Sequence, residues 1–297
     1  MPASRNPKTA FARAALSAAA LLLLASCAQK PVIVPGETAA EPPESVTRAP
    51  ETAAQGTPAG LLSVPQDTRV SGNTREESYT EAKRTALSRV FFDHRVTLYC
   101  GAPFDAKKNV QLPEGFTARK SQNRQSRIEW EHIVPAENFG RTFSEWREGS
   151  PACVGAKGPY KGRRCANAAN REYRLMQADL YNLFPAIGAV NAARENFAFD
   201  ELPPGTPSSF GSCPMKIRGG KAEPPDSAKG IVARAHLYMQ AAYPRFRLSR
   251  SQQRLMEAWD RAHPADAWEC LRAERIRQIQ GNENPFVTRS CARDQLR

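Results

Sequence analysis

The chain has 297 residues, a formal net charge of +12 at neutral pH and seven cysteines. This length is sufficient for one well-formed hydrophobic core, and the sequence shows no internal repeat, which excludes a repeat array. The basic balance favours a polyanionic partner, although anionic lipid or a generally arginine-rich proteome would explain the same sign of charge.

The first 27 residues have the pattern of an export signal. Arg5, Lys8 and Arg13 precede or open an apolar run at residues 14–25, which is short for a membrane-spanning helix. The run ends Leu-Ala-Ser-Cys at Cys27, which resembles the bacterial lipobox, in which the cysteine is acylated and becomes the first mature residue. We therefore expect a lipoprotein signal peptide at residues 1–27 with Cys27 lipidated. A plain signal peptide cleaved elsewhere is the alternative.

Residues 28–75 are rich in Pro, Ala, Glu, Thr and Gly and poor in aromatic residues. Such a composition cannot bury a core, so it predicts a disordered tether between a lipid anchor and a folded domain. Ala28 follows the lipidated cysteine, and in the bacterial sorting pattern that this resembles, a residue other than Asp favours the outer membrane, facing the periplasm or the exterior.

The remaining residues, 76–297, are expected to form one domain. Residues 1–27 carry a charge of +3 and residues 28–75 carry −1, which leaves +10 on this domain. The net charge therefore belongs to the folded part of the chain, where it could bind a polyanion.

Hydrophobic spacing predicts the main elements of the domain. Helices are expected at residues 78–90, 170–183, 228–243, 248–262 and 268–280, and short extended segments at residues 91–100 and 128–134. Ser249 is a candidate N-cap, Gly281 a helix stop, and residues 149–164 a loop. The predicted fold class is α+β, a mostly helical single domain.

Six cysteines remain in the domain after Cys27 is set aside. An even number in an exported chain predicts disulfides, and zinc is disfavoured because no C-x-x-C pair exists and the four histidines lack ligand spacing. Cys153 and Cys165 are close in sequence and are expected to pair. The other four, Cys100, Cys213, Cys270 and Cys291, allow three connectivities, among which the sequence does not choose.

One stretch carries residues suited to hydrolysis of a phosphodiester. That reaction needs a base for water, neutralisation of charge at phosphorus and a stabilised leaving oxygen. His132 can act as the base and Glu131 as a ligand for a hard cation. Asn191 or Asn196 could add an amide oxygen, and Arg163 or Arg164 could hold the phosphate oxygens.

The sequence SRIEWEHIVPAENFG at residues 126–140 closely resembles the active-site strand of the bacterial endonuclease I family. These are exported, sequence-nonspecific nucleases of the ββα-metal, or His-Me finger, superfamily. The resemblance continues in order through residues 176–191, 213–216, 234–239 and 280–287, and it covers nearly the whole domain. It implies that the domain is built around a ββα-metal finger and stabilised by disulfides.

The resemblance also implies roles for individual residues. Glu131 and Asn191 would bind Mg²⁺ or another hard divalent cation such as Mn²⁺ or Ca²⁺, and His132 would activate water. Gly162-Arg163 best matches the family's transition-state arginine, with Arg164 as the alternative. Gln177 stands where the family has an acidic residue, so an amide replaces a carboxylate that could lie in the second shell of the metal.

The predicted function is a metal-dependent endonuclease that hydrolyses DNA and RNA without sequence preference, as a lipid-anchored monomer in the bacterial envelope. The alternative, motivated by Gln177, is a catalytically weakened nucleic-acid-binding lipoprotein that kept the nuclease fold. A phosphodiesterase acting on a nucleotide or lipid is a third possibility, which the charge of +10 disfavours.

Overall fold

The computed structural model describes residues 70–294, and its centre is an antiparallel pair of strands followed by a short helix. The strands are β1 (Ile128–His132), β2 (Val154–Gly155), β3 (Gly158–Pro159), β4 (Leu183–Ile187), β5 (Ala198–Phe199), β6 (Lys216–Arg218) and β7 (Lys221–Glu223). The helices are α1 (Tyr79–Thr85), α2 (Ala136–Gly140), α3 (Ser144–Arg147), α4 (Arg163–Ala169), α5 (Arg171–Gln177), α6 (Gly188–Arg194), α7 (Asp226–Ala242), α8 (Arg250–Ala262), α9 (Ala267–Gln280) and α10 (Pro285–Asp294). This composition confirms the predicted α+β class.

Strands β1 and β4 pair antiparallel, and α6 follows β4 directly, which gives a β-β-α arrangement. The register sets Glu131 opposite Phe184 and His132 opposite Leu183. Every residue of β4 is buried. Gly188 begins α6 at a point where a Cβ atom would lie 2.4 Å from the backbone oxygen of Arg124. A larger residue would therefore clash with the segment that precedes β1.

The C-terminal helices agree with the prediction because their signals are local. The Ser249 side chain accepts a hydrogen bond from the Gln252 amide and so caps α8. Helix α9 ends at Gly281, whose φ of +77° suits glycine. Helix α10 was not predicted from the sequence. No helix in residues 70–294 is long and apolar enough to cross a membrane.

Three predictions of local structure were wrong. The helix expected at residues 170–183 ends at Gln177, and residues 183–187 form β4 instead. Residues 91–100 contain a single isolated bridge from Val96 to Pro103 rather than a strand. Residues 149–164, expected to be a loop, contain the paired strands β2 and β3 and the start of α4. In the first case, pairing with β1 and complete burial override the helical spacing of the apolar residues.

The folded region starts before the predicted boundary at residue 76. Asn73 is 2% exposed, and its backbone amide donates to the hydroxyl of Tyr243 at 2.8 Å. The same amide and the hydroxyls of Tyr238 and Tyr243 bind the buried carboxylate of Asp179. Residues 70–75 therefore pack with the domain. The predicted signal peptide, Cys27 and the rest of the predicted tether lie outside the described residues.

Three disulfides stabilise the part of the domain that the structure describes. Cys153 is joined to Cys165, as predicted, and the structure selects Cys100–Cys213 and Cys270–Cys291 for the other four cysteines. The sequence could not choose this connectivity because it depends on which segments pack together.

The bridge with the longest loop should contribute most to stability. Cys100 and Cys213 are 113 residues apart, whereas Cys153 and Cys165 are 12 apart. Chain entropy predicts a stabilisation of about 5 kcal/mol for a loop of the first kind and about 3 kcal/mol for the second. The Cys100→Ser/Cys213→Ser variant should therefore unfold at lower denaturant concentration than Cys153→Ser/Cys165→Ser. Equal midpoints in a urea titration would contradict this order.

Candidate active site

The candidate site is a cleft of about 910 Å³ beside the β-β-α arrangement, which we call the main cleft. Its wall carries both acidic and basic groups, and it is lined by five of the predicted residues, namely Glu131, His132, Arg163, Asn191 and Asn196. The other basic groups on the wall are Lys83, Arg84, Lys108, Arg124 and Arg194. This excess of cations suits a phosphate-bearing ligand.

Strand β1 brings the acidic and imidazole groups together. Side chains alternate along a strand, so Glu129 and Glu131 share one face, while His132 follows at the end of the strand. Glu131 is 2% exposed and His132 is 7% exposed. Both are held rigidly at the edge of the cleft.

The hydrogen bonding of His132 defines which ring nitrogen can react. Nε2 lies 2.8 Å from the backbone oxygen of Gln177, and because a carbonyl only accepts, Nε2 carries the proton. Nδ1 of a neutral ring is then the nitrogen with a free lone pair. Burial, followed by the positive charge of Arg163, lowers the pKa of His132 from 6.5 to about 3. The ring is therefore neutral at physiological pH, with Nδ1 unprotonated.

Glu131 is bound by two buried partners. Its Oε1 atom accepts from the Tyr99 hydroxyl at 2.9 Å and lies 2.9 Å from a terminal nitrogen of Arg194. Arg194 also donates to the backbone oxygens of His132 and Ile133, so one guanidinium links α6 to the end of β1. Burial raises the pKa of Glu131, and the charge of Arg194 opposes this shift.

A second carboxylate, which the sequence reasoning missed, faces Asn191. The Asn191 amide nitrogen donates to Glu129 Oε2 at 2.8 Å, and Arg124 Nε donates to Glu129 Oε1 at 2.7 Å. Burial raises the pKa of Glu129, but the hydrogen bonds from Arg124 and Asn191 outweigh it and leave the pKa below its usual value. The period of two along β1, which puts Glu129 on the face of Glu131, was the available signal.

Arg163 and Arg164 occupy different surroundings. Gly162, with a φ of +77°, precedes α4 and turns the chain so that Arg163 reaches the main cleft. Arg163 stands over the Tyr79 ring at 5.2 Å, whereas Arg164 stacks on the Tyr160 ring at 4.0 Å and does not line this cleft.

Gln177 contacts Arg163 rather than the carboxylates. Its Oε1 atom accepts from two nitrogens of Arg163 at 3.4 Å, and its amide nitrogen donates to Asn167. It lines a neighbouring depression and not the main cleft. The structure therefore does not bring Gln177 together with Glu131 and Asn191.

The donor atoms in the main cleft fit a hard divalent cation. Oε1 of Glu131 is used by Tyr99 and Arg194, and its Oε2 accepts no hydrogen bond from the described residues. Asn191 uses its nitrogen toward Glu129, which leaves its Oδ1 oxygen available. Carboxylate and amide oxygens are the ligands that Mg²⁺, Mn²⁺ and Ca²⁺ accept. Residues 70–294 contain no cluster of three or more His, Cys, Asp and Glu side chains suited to a metal.

Comparison with known proteins finds one matching family and several similar relatives. The family described as Endonuclease I matches residues 78–291. An extracellular deoxyribonuclease of Aeromonas hydrophila is 38% identical over 238 residues, which are 78% of this chain and 98% of the relative. A periplasmic deoxyribonuclease of the same organism is 39% identical, over 73% of this chain and 88% of the relative. Endonuclease-1 of Buchnera aphidicola subsp. Baizongia pistaciae is 35% identical, over 73% of this chain and 86% of the relative.

Proposed function

The chain belongs to the endonuclease I family, and from this premise we propose that it is a divalent-metal-dependent endonuclease that hydrolyses DNA and RNA without sequence preference. The observation that carries the proposal is the state of His132. A neutral ring with its proton fixed on Nε2 offers Nδ1 as a base at the edge of a cationic cleft.

The residues of the main cleft have separate roles in the proposed reaction. His132 Nδ1 takes a proton from the attacking water, while the bond from Nε2 to the Gln177 oxygen keeps the ring oriented. Arg163 donates to the nonbridging oxygens of the scissile phosphate and offsets the charge that builds up there. Glu131 and Asn191 would hold the metal, and Glu129 orients the Asn191 amide. A divalent cation held there would supply neutralisation of the negative charge that develops in the reaction.

The lack of sequence preference follows from the chemistry of the cleft wall. Its cations suit contacts to phosphate groups, which every sequence presents. The same contacts do not depend on the 2′-hydroxyl, so RNA is included as a substrate. The extracellular and periplasmic relatives support export of this chain. Lipidation at Cys27, an outer-membrane location and a monomeric state remain parts of the proposal.

A chelator-controlled cleavage assay tests the proposal directly. The purified protein should degrade unrelated DNA duplexes and RNA with added Mg²⁺ and should stop when EDTA is present. Binding should weaken with salt, with a log–log slope of about −0.9 per phosphate neutralised on duplex DNA. Salt-sensitive binding without metal-stimulated cleavage would favour the nucleic-acid-binding alternative. Cleavage that is confined to one sequence would contradict the lack of preference.

The substitution Gln177→Glu tests how Gln177 acts. The sequence alone favours a gain in metal affinity, because a carboxylate near a divalent cation is attractive. The contacts of Gln177 instead predict an ion pair with Arg163, which would draw that guanidinium from the phosphate. We expect the KM for DNA to rise about tenfold with little change in the Mg²⁺ dependence.

Gln111→Glu is the matched control, because Gln111 is exposed and the substitution changes the net charge equally. Separate titrations of DNA and Mg²⁺ distinguish the two expectations. A tighter apparent Mg²⁺ affinity with an unchanged KM would show that position 177 acts on the metal and not on Arg163.

A further inference from the structure

A second cleft adjoins the main cleft, and the proposed chemistry does not use it. This side cleft has a volume of about 550 Å³ and is lined by residues that include Phe197, His236, Arg245, Arg247 and Ser249. Pro135 and Arg194 line both clefts, so the two clefts adjoin at these residues. The volume lies within the range of small-ligand sites.

His236 is a buried residue that lines the side cleft, and one of its ring nitrogens has no partner among the described residues. It is 5% exposed, and its Nδ1 atom donates to the backbone oxygen of Val232 at 2.8 Å. Nε2 is then the unprotonated nitrogen, and it has no hydrogen-bond partner in residues 70–294. Burial lowers the pKa of His236 to about 4, so the ring stays neutral. A ligand with an N–H or O–H donor would satisfy Nε2.

The segment that leads into α8 offers groups that would bind an anion. Arg247 is exposed and donates weakly to the Gln240 backbone oxygen at 3.4 Å, with no carboxylate partner in the described part of the chain. Ser249 caps α8, a helix of 13 residues whose first amides have no intrahelical acceptor. Arg245, in contrast, is already paired with Glu172 at 2.6 Å. Arg247 is therefore the cation available for a phosphate.

We propose that the side cleft binds a nucleotide of the substrate strand away from the scissile bond. Its phosphate binds Arg247 and the start of α8, and a donor on its base or sugar binds His236 Nε2. Phe197, which is partly buried against the core, offers a ring for the base to stack on. The proposal rests on the proposed nuclease function, which it extends from one phosphodiester to a longer segment of strand.

The test compares Arg247→Gln with Arg261→Gln. Both remove one exposed arginine and change the net charge equally, but Arg261 lies in the last turn of α8 and does not line the side cleft. Binding of labelled single-stranded oligodeoxynucleotides of roughly four and roughly sixteen nucleotides is measured without metal by fluorescence anisotropy. Arg247→Gln should lower the long-to-short affinity ratio about tenfold and reduce the salt slope for the long strand by about 0.7. Arg261→Gln should change neither.

His236→Phe provides a second, independent variant. It keeps an aromatic ring but removes the acceptor, and it should lower the same ratio once thermal melting has shown that the variant is folded. Equal ratios for Arg247→Gln, Arg261→Gln and the unmodified chain would overturn the subsite, and the nuclease proposal would stand if metal-dependent cleavage persisted. If the unmodified chain did not cleave nucleic acid, the nuclease proposal would be overturned. The dependence of binding on oligonucleotide length would still test the subsite.

Discussion

Replacement of His132 by alanine should reduce DNA cleavage by at least about 100-fold while the domain stays folded and continues to bind DNA. Nδ1 is the only base that the proposed chemistry uses, and alanine removes it. The fold should survive because the ring makes one hydrogen bond, to the Gln177 oxygen, and two aromatic contacts, to Tyr79 and Phe139. Initial cleavage rates, thermal melting and anisotropy with labelled duplex measure the three properties.

His263→Ala is the matched control for this variant. His263 is partly exposed, does not line the main cleft, and its contact to Arg234 is made by its backbone oxygen, which alanine retains. The control should cleave DNA at the normal rate. Near-normal turnover in the His132 variant would remove this residue from the mechanism.

The substitution Glu131→Gln should have the second of the two largest effects. It should lower both the stability of the fold and the metal-dependent cleavage. It removes a charge from the metal ligands and leaves the guanidinium of Arg194, which is 1% exposed, without its buried partner. Breaking one side of a buried ion pair costs roughly 3–5 kcal/mol. We expect a lower midpoint of unfolding together with weaker Mg²⁺-dependent cleavage.

The double variant Glu131→Gln/Arg194→Met separates these two effects. Removing the stranded guanidinium should recover part of the stability, although the backbone oxygens of His132 and Ile133 lose a donor. Cleavage and Mg²⁺ affinity should stay low, because the carboxylate is still absent. Recovery of cleavage in step with stability would show that Glu131 acts only through the fold.

The experiments on His132 and Glu131 also distinguish the nuclease from the binding-protein alternative. Gln177 motivated that alternative, but its side chain lies on Arg163 and Asn167, away from Glu131 and Asn191. The loss of the family's carboxylate at this position therefore leaves the proposed metal ligands in place.

Local patterns in the sequence were sufficient for much of the fold. The stretch from Glu129 to His132 indicated a strand, and β1 forms there because its alternation and apolar residues are local properties. Helices α8 and α9 follow from hydrophobic spacing, a serine cap and a terminating glycine, each set by residues within a few positions. The even number of cysteines predicted disulfides for the same reason: it depends on composition alone.

The tertiary structure decided what depends on distant segments. Residues 183–187 became a strand because β1 offered pairing partners and the core buried every side chain. Three features of the site were also decided by distant segments: Arg163 and not Arg164 faces the main cleft, Asn191 binds Glu129, and Arg194 binds Glu131. The disulfide connectivity is long-range as well, with Cys100 joined to Cys213 across 113 residues.

The sequence by itself determined the class of chemistry, since a histidine, a carboxylate and an arginine in a matching motif are properties of residue type and order. It could not determine which groups share a hydrogen bond, because contacts between residues far apart in the chain are fixed only when β1, β4 and α6 pack against one another. The burial that sets the pKa values of His132 and Glu131 arises from the same packing.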